Sequence, residues 1–132
     1  MVWFFKREYA ESGMKTLLIV DDESQICRLL SRFFEGRGFR TQTAQSGREA
    51  INRLQAQAPD YLLLDVRMPD LSGLEVLKLA KRLYPDLKVV MVTAYGDPET
   101  QKTAFDLGAA DFISKPFGFD DQAWARAFFA AD

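Results

Sequence analysis

Short blocks of consecutive apolar residues alternate along this chain with longer stretches whose apolar positions recur every three or four residues. The first kind of block reads as a strand, the second as an amphipathic helix. Thr16 to Val20 is the first strand, closed by Asp21-Asp22. Ser24 to Glu35 follows, with a helical stripe at Ile26, Leu29, Leu30, Phe33 and Phe34, and Gly36 with Gly38 ends it. Phe39 to Ala44 alternates weakly and suits an edge strand. Ser46 caps a helix through Gln57, with Glu49 as its capping-box partner and Ala50, Ile51 and Leu54 on the buried face.

Pro59 stops that helix and Tyr61 opens the next strand. Ser72 caps a helix holding Leu74, Val76, Leu77 and Leu79, which ends near Pro85. Leu87 to Val92 is another buried strand with Thr93 behind it. Pro98 begins a weaker helix with Ala104, Phe105 and Leu107, closed by Gly108. Ala110 to Ser114 is the last strand and runs into Lys115-Pro116. Asp120 or Asp121 caps a final helix carrying Trp124, Ala127, Phe128 and Ala131.

The unit is βα, repeated five times. That alternation predicts an α/β fold: a doubly wound, five-stranded parallel sheet with helices on both faces and right-handed crossovers. The common strand order for such a flavodoxin-like sheet is 2-1-3-4-5. The stretch Tyr61-Leu62-Leu63-Leu64-Asp65 sharpens the expectation, because an apolar run this continuous is a strand buried on both faces. Asp65 then stands at the carboxyl end of the sheet, where open α/β folds bind their ligands.

Its neighbours in that order reinforce the point. Strand one ends in Asp21 and Asp22, strand four in Thr93, and strand five in Lys115. Each has an ordinary reading by itself: Asp22 a helix cap, Thr93 a β-branched terminus, Lys115 a solvated loop charge. Together they put acid, hydroxyl and ammonium groups on adjacent strand tips. Converging carboxylates repel, and a hard divalent cation relieves them; oxygen-only ligands favour Mg2+ or Mn2+ over zinc. Lys115 suits a phosphoryl group as a point charge, and Thr93 offers it a hydroxyl. A carboxylate beside such a group can be its nucleophile, giving an aspartyl phosphate.

Composition narrows the field. The chain has 132 residues, 48% hydrophobic and 27% charged, which is one ordinary globular domain. Its 17 basic and 19 acidic residues nearly cancel, so no strong field recommends nucleic acid or an anionic membrane. Histidine is absent, which removes imidazole metal sites and serine–histidine chemistry. One cysteine, Cys27, fits a reducing, cytoplasmic setting. No GxxxxGK[ST] loop or GxGxxG turn marks a nucleotide enzyme. Residues 1–13 precede a second potential start at Met14 and are read as an extension or expression remnant, leaving 14–132 as the domain.

The motifs Val20-Asp21-Asp22-Glu23, Leu64-Asp65-Val66-Arg67-Met68-Pro69, Val92-Thr93-Ala94 and Lys115-Pro116-Phe117 occur in order at fitting spacing. Jointly they resemble the CheY-like receiver domain of two-component response regulators, from about Met14 to Ala131. The resemblance implies that Asp65 takes a phosphoryl group from the phosphohistidine of a sensor kinase or phosphotransfer protein. It implies that Asp22, Asp65 and the Arg67 backbone carbonyl coordinate Mg2+, with Asp21 assisting directly or through water. Lys115 would hold the phosphoryl group, and the Lys115-Pro116 bond would be cis. Thr93 and Phe112 would form the switch that changes affinity for a downstream protein, against plain core packing for Phe112. The only chemistry implied is the domain's own aspartyl phosphorylation and dephosphorylation.

Arg67 and Tyr95 fall where receivers vary and are expected to set how readily water reaches the phosphoryl group. The aromatic load of the last helix, with Phe129 added to Trp124 and Phe128, suggests a place for Val2-Trp3-Phe4-Phe5 or a homodimer patch. A disordered leader is the plain alternative. A receiver belonging to a larger regulator, with a DNA-binding or enzymatic output domain, is the alternative to a stand-alone module. A degenerate receiver is disfavoured, because every acceptor-site residue is present.

Overall fold

The structure is a computed structural model that describes residues 14–94, 96–118 and 122–129. The expectations placed on residues 1–13, Tyr95, Asp120, Asp121, Ala131 and the Phe129 side chain lie outside the described residues. Strands β1 (Lys15–Val20), β2 (Phe39–Ala44), β3 (Tyr61–Leu64), β4 (Lys88–Thr93) and β5 (Asp111–Ser114) alternate with helices. The helices are α1 (Ser24–Glu35), α2 (Gly47–Ala56), α3 (Gly73–Leu83), α4 (Pro98–Asp106) and α5, whose turn at Gln122–Trp124 continues as a π-helical turn, Ala125–Phe129. All strands are parallel, in the expected order β2-β1-β3-β4-β5.

Alternation along each strand builds two apolar layers. Leu18, Val20, Leu62, Leu64, Val89 and Met91 face α2, α3 and α4, where Ala50, Leu54, Val76, Leu77, Ala80 and Ala104 meet them. Leu17, Ile19, Leu63, Val90, Val92 and Ile113 face α1 and α5. That second layer is aromatic. Phe34 is fully buried, with ring centroids 4.8 Å from Phe128, 5.3 Å from Phe39 and 5.7 Å from Trp124. Trp124 and Phe128 are thus core residues, which explains the heavy load read on the last helix.

One position corrects a helical stripe. Leu29, expected on the buried stripe of α1, is 47% exposed, and Phe105 on the weaker helix α4 is 45% exposed. In each helix the adjacent residue, Leu30 or Ala104, takes the buried position, and one residue is about 100° of helical rotation.

Helix ends follow local chemistry. Ser46 Oγ accepts from the Glu49 N–H, but the Glu49 carboxylate reaches the N–H of Gln45, one residue before the cap. Ser72 Oγ accepts from Leu74 N–H, and Asp97 Oδ1 from Thr100 N–H at 2.7 Å. Beyond the carboxyl ends of the strands the pairing continues by one residue. Asp21 N–H donates to Ala44 O, Asp65 N–H to Val20 O, and Lys115 N–H to Thr93 O. These bonds fix three site residues to the sheet itself.

Candidate functional site

Asp21, Asp22 and Asp65 each present a carboxylate oxygen, and these atoms lie within 4.8 Å of one another. Asp21 and Asp65 are buried while Asp22 is exposed, so the cluster is deep on one side and open on the other. Lys115 closes it. Its Nζ donates to Asp21 Oδ2 at 2.6 Å and to Asp65 Oδ2 at 3.0 Å, and approaches Glu23 Oε1 at 3.5 Å.

Burial pushes the Asp21 carboxyl above its usual range, against the pull of Lys115 and of the Glu23 N–H. Burial alone would lower Lys115; its bonds to Asp21 and Asp65 outweigh that and raise it. Three carboxylates and one ammonium leave two negative charges, which a divalent cation balances. The donor set is oxygen only, the chemistry of a hard cation. These residues therefore fit a metal ion of that class.

The other site residues of the sequence reading surround this centre. Thr93 ends β4, fully buried. The Arg67 N–H donates to Asp65 Oδ1 at 3.3 Å, and its side chain is exposed. The Lys115-Pro116 bond is cis. Phe112 is half-buried on β5 opposite Met91, packed against the layer of α2 to α4. The β4–α4 loop presses on it: a Cβ on Gly96 would lie 2.9 Å from Phe112 Cε1. Gln101 Nε2 holds that loop by donating to Gly96 O at 2.7 Å.

Three neighbours were not singled out from sequence. Glu23 lies beside Lys115, and only its place next to the acidic pair hinted at this. Gly73 begins α3 against the backbone of Asp65: a Cβ there would stand 1.9 Å from the Asp65 carbonyl oxygen. Its N–H donates to Val66 O at 2.6 Å. Asp70 reaches from the β3–α3 loop to the start of α2, accepting from Gly47 and Arg48 N–H groups at 2.9 Å each. Cys27 lies under the site, its thiol 3.3 Å from Asp21 O and pushed up to about 11 by burial.

The model of the response regulator receiver domain family matches residues 17–123. The chain belongs to this family. The receiver is similar to the DNA-binding transcriptional regulator NtrC of Klebsiella pneumoniae, 41% identical over 103 residues, 78% of this chain and 22% of that protein. It is 37% identical to the regulatory protein AtoC of Escherichia coli over 110 residues, 83% of this chain and 24% of that one. The receiver thus spans about a quarter or less of these two relatives.

Solved structures agree. A CheY-like receiver domain protein from Methanospirillum hungatei superposes with a TM-score of 0.78 at 30% identity, covering 80% of this chain and 84% of that one. The response regulator TrrA of Thermotoga maritima, in complex with Mg2+ and BeF, gives 0.74 at 34% identity, with coverage of 81% and 91%. The receiver is therefore a two-component signalling domain, of the kind that histidine kinases phosphorylate. Among the described residues, no helix is long and apolar enough to cross a membrane.

Proposed function

We propose that Asp65 is the phosphoacceptor of a switch controlled by a sensor histidine kinase or phosphotransfer protein. The observation that carries this reading is the approach of Lys115 Nζ to both Asp65 and Asp21, with Asp22 open beside them. An Asp65 carboxylate oxygen attacks phosphorus; the new O–P bond forms as the P–N bond to the donor imidazole breaks, and that imidazole keeps the electron pair and takes a proton. Lys115 follows the charge from carboxylate to phosphoryl oxygen, and Thr93 offers its hydroxyl to another oxygen. Hydrolysis reverses the state, with water attacking phosphorus and Asp65 leaving as carboxylate.

Asp21, Asp22, Asp65 and the Arg67 carbonyl would hold Mg2+, or Mn2+, which supplies charge neutralisation during the in-line transfer. TrrA, similar to this chain, was solved with Mg2+ and BeF, which supports that choice. The reaction needs positioning and electrostatics rather than a general base, so a chain without histidine is adequate. Thr93 and Phe112 carry the change to a downstream partner, and Arg67 with Tyr95 sets the lifetime of the phosphoryl group. Residues 14–132 form the acting unit, in the cytoplasm.

Incubation with Mg2+ and acetyl phosphate, followed by intact mass, tests the reading. One phosphoryl group should add to the parent and none to Asp65→Asn; equal addition to both, or addition to neither, refutes it. A second reading rests on the proportions of NtrC and AtoC, of which the chain spans 22% and 24%. In it the receiver governs an output domain on the same polypeptide. Immunoblotting the native protein in its source cells decides between a band near 15.0 kDa and a much larger one.

A further inference from the structure

The first turn of α2 carries N–H groups with no partner inside the helix, as any α-helix does. Ser46, the local cap, satisfies Glu49. Gly47 and Arg48 are satisfied by a residue far along the chain: Asp70 Oδ1 accepts from Gly47 and Oδ2 from Arg48, both at 2.9 Å. Asp70 Oδ1 also accepts from the N–H of Leu71 within its own loop, at 2.9 Å. The two segments touch as well. A Cβ on Gly47 would stand 2.7 Å from Leu71 Cβ, so only a glycine lets the loop lie this close to the helix.

That loop is the one that leaves Asp65. It is fastened near its start by Arg67 N–H on Asp65 Oδ1, and at its end by Gly73 N–H on Val66 O. Asp70 supplies the fastening between these points, and the anchor it uses is rigid. Helix α2 is packed through Ala50 and Leu54, both fully buried, and it follows β2, whose Ala44 carbonyl accepts from Asp21 N–H.

We propose that Asp70 is a positioning residue for the cation site, locking the loop that carries Arg67 onto the start of α2. The proposal rests on the metal-assisted reading of the Asp65 site given above. Asp70 touches neither metal nor phosphoryl group in this scheme. It acts by limiting the places the Arg67 carbonyl can occupy, so the cation meets a ligand already in position. Groups that orient a metal ligand from behind commonly change metal affinity 10- to 100-fold when removed, which sets the expected scale at roughly that range.

The test is Mg2+ titration by calorimetry on the full chain, for the parent, Asp70→Ala, Asp70→Asn and Ser46→Ala. Asp70→Ala should weaken Mg2+ binding by about tenfold or more. Asp70→Asn, whose single amide oxygen can keep the Gly47 bond but not also the one from Arg48, should recover only part of that loss. Ser46→Ala, which removes a cap from the same helix without touching the loop, should bind Mg2+ like the parent. At saturating Mg2+ all four should take a phosphoryl group from acetyl phosphate at rates within about threefold, a split that simple destabilisation would not produce. Parent-like Mg2+ affinity in Asp70→Ala overturns the proposal, as does an equal loss in Ser46→Ala. Failure of the parent to be phosphorylated instead overturns the reading of Asp65, and the Mg2+ titration still decides the role of Asp70.

Discussion

Lys115 Nζ stands 2.6 Å from Asp21 Oδ2, joining the tip of β5 to the tip of β1 across two intervening strands. The pair is nearly closed to water, with side-chain exposures of 12% and 3%. In this position the ammonium is an internal counter-ion, holding Asp21 and Asp65 together before any metal arrives.

Lys115→Met should therefore be destabilising. Removing one partner of a buried pair leaves the other charge uncompensated, which typically costs about 3–5 kcal/mol. Millimolar Mg2+ should restore part of that loss, because a divalent cation supplies the missing positive charge. Thermal unfolding with and without MgCl2 measures it: the gain from Mg2+ should be larger in Lys115→Met than in the parent. Equal gains would mean that Lys115 does not neutralise the carboxylates. Removing the metal with EDTA should return the variant to its weaker state.

Two glycine substitutions separate site packing from chain conformation. Gly38 has φ of +90°, and a Cβ there would touch nothing within 4 Å. Gly38→Ala should cost about 1–2 kcal/mol from backbone conformation alone and leave phosphorylation unchanged. Gly73→Ala meets the Asp65 carbonyl oxygen instead, and α3 or the acceptor strand must shift. It should cost about 1–3 kcal/mol and also slow phosphorylation by acetyl phosphate at least tenfold. Urea unfolding paired with phosphorylation rates distinguishes them; equal phosphorylation rates in the two variants would refute the site argument.

The contrast between Gly38 and Gly73 shows what sequence can carry. Gly38 is visible as punctuation after an apolar helical stripe, and the parallel sheet follows from alternation with crossovers of fixed hand, its order being the common one for five strands. The acidic, hydroxyl and ammonium residues at strand ends were equally legible, because one sheet rim collects whatever ends its strands. Gly73, Asp70 and Glu23 were not. Their roles depend on how closely a loop approaches a helix or strand distant in sequence, which no local period encodes. The exposure of Leu29 was not legible for a related reason. An apolar residue beside a buried one is ambiguous until the partner surface fixes the helix rotation.

That rotation yields a paired prediction on α1. Leu30 is 1% exposed and belongs to the buried layer that includes Ile19 and Phe34, while Leu29 is 47% exposed. Leu30→Ala should cost about 2–5 kcal/mol, the loss of a buried side chain plus the cavity it leaves. Leu29→Ala should stay within about 0.5 kcal/mol of the parent. Chemical denaturation at one pH reads both, and a large loss in Leu29→Ala would mean that its face is covered.

The last prediction concerns acid stability at the opposite edge of the sheet. Asp111 opens β5, and Arg126 on the π-helical turn of α5 grips it with Nε to Oδ2 at 2.8 Å and Nη2 to Oδ1 at 2.9 Å. Burial works to raise the Asp111 carboxyl, but Arg126, the Phe112 N–H and, more weakly, Lys88 outweigh it, and the group is held below its ordinary value of 3.8. A carboxyl depressed in the folded state contributes stability that is complete above the unfolded value. As pH falls past that value the unfolded chain takes up the proton first, and the contribution is lost as pH drops through the folded value. Arg126→Met should therefore be less stable than the parent at pH 7, by under about 1 kcal/mol because the guanidinium is largely exposed. The difference should shrink steadily below about pH 4 and close once Asp111 is protonated in both proteins. Urea midpoints taken from pH 7 down to pH 2.5 trace this convergence. A gap that stays constant across the series would mean that Arg126 acts through the packing of its stem rather than through its charge.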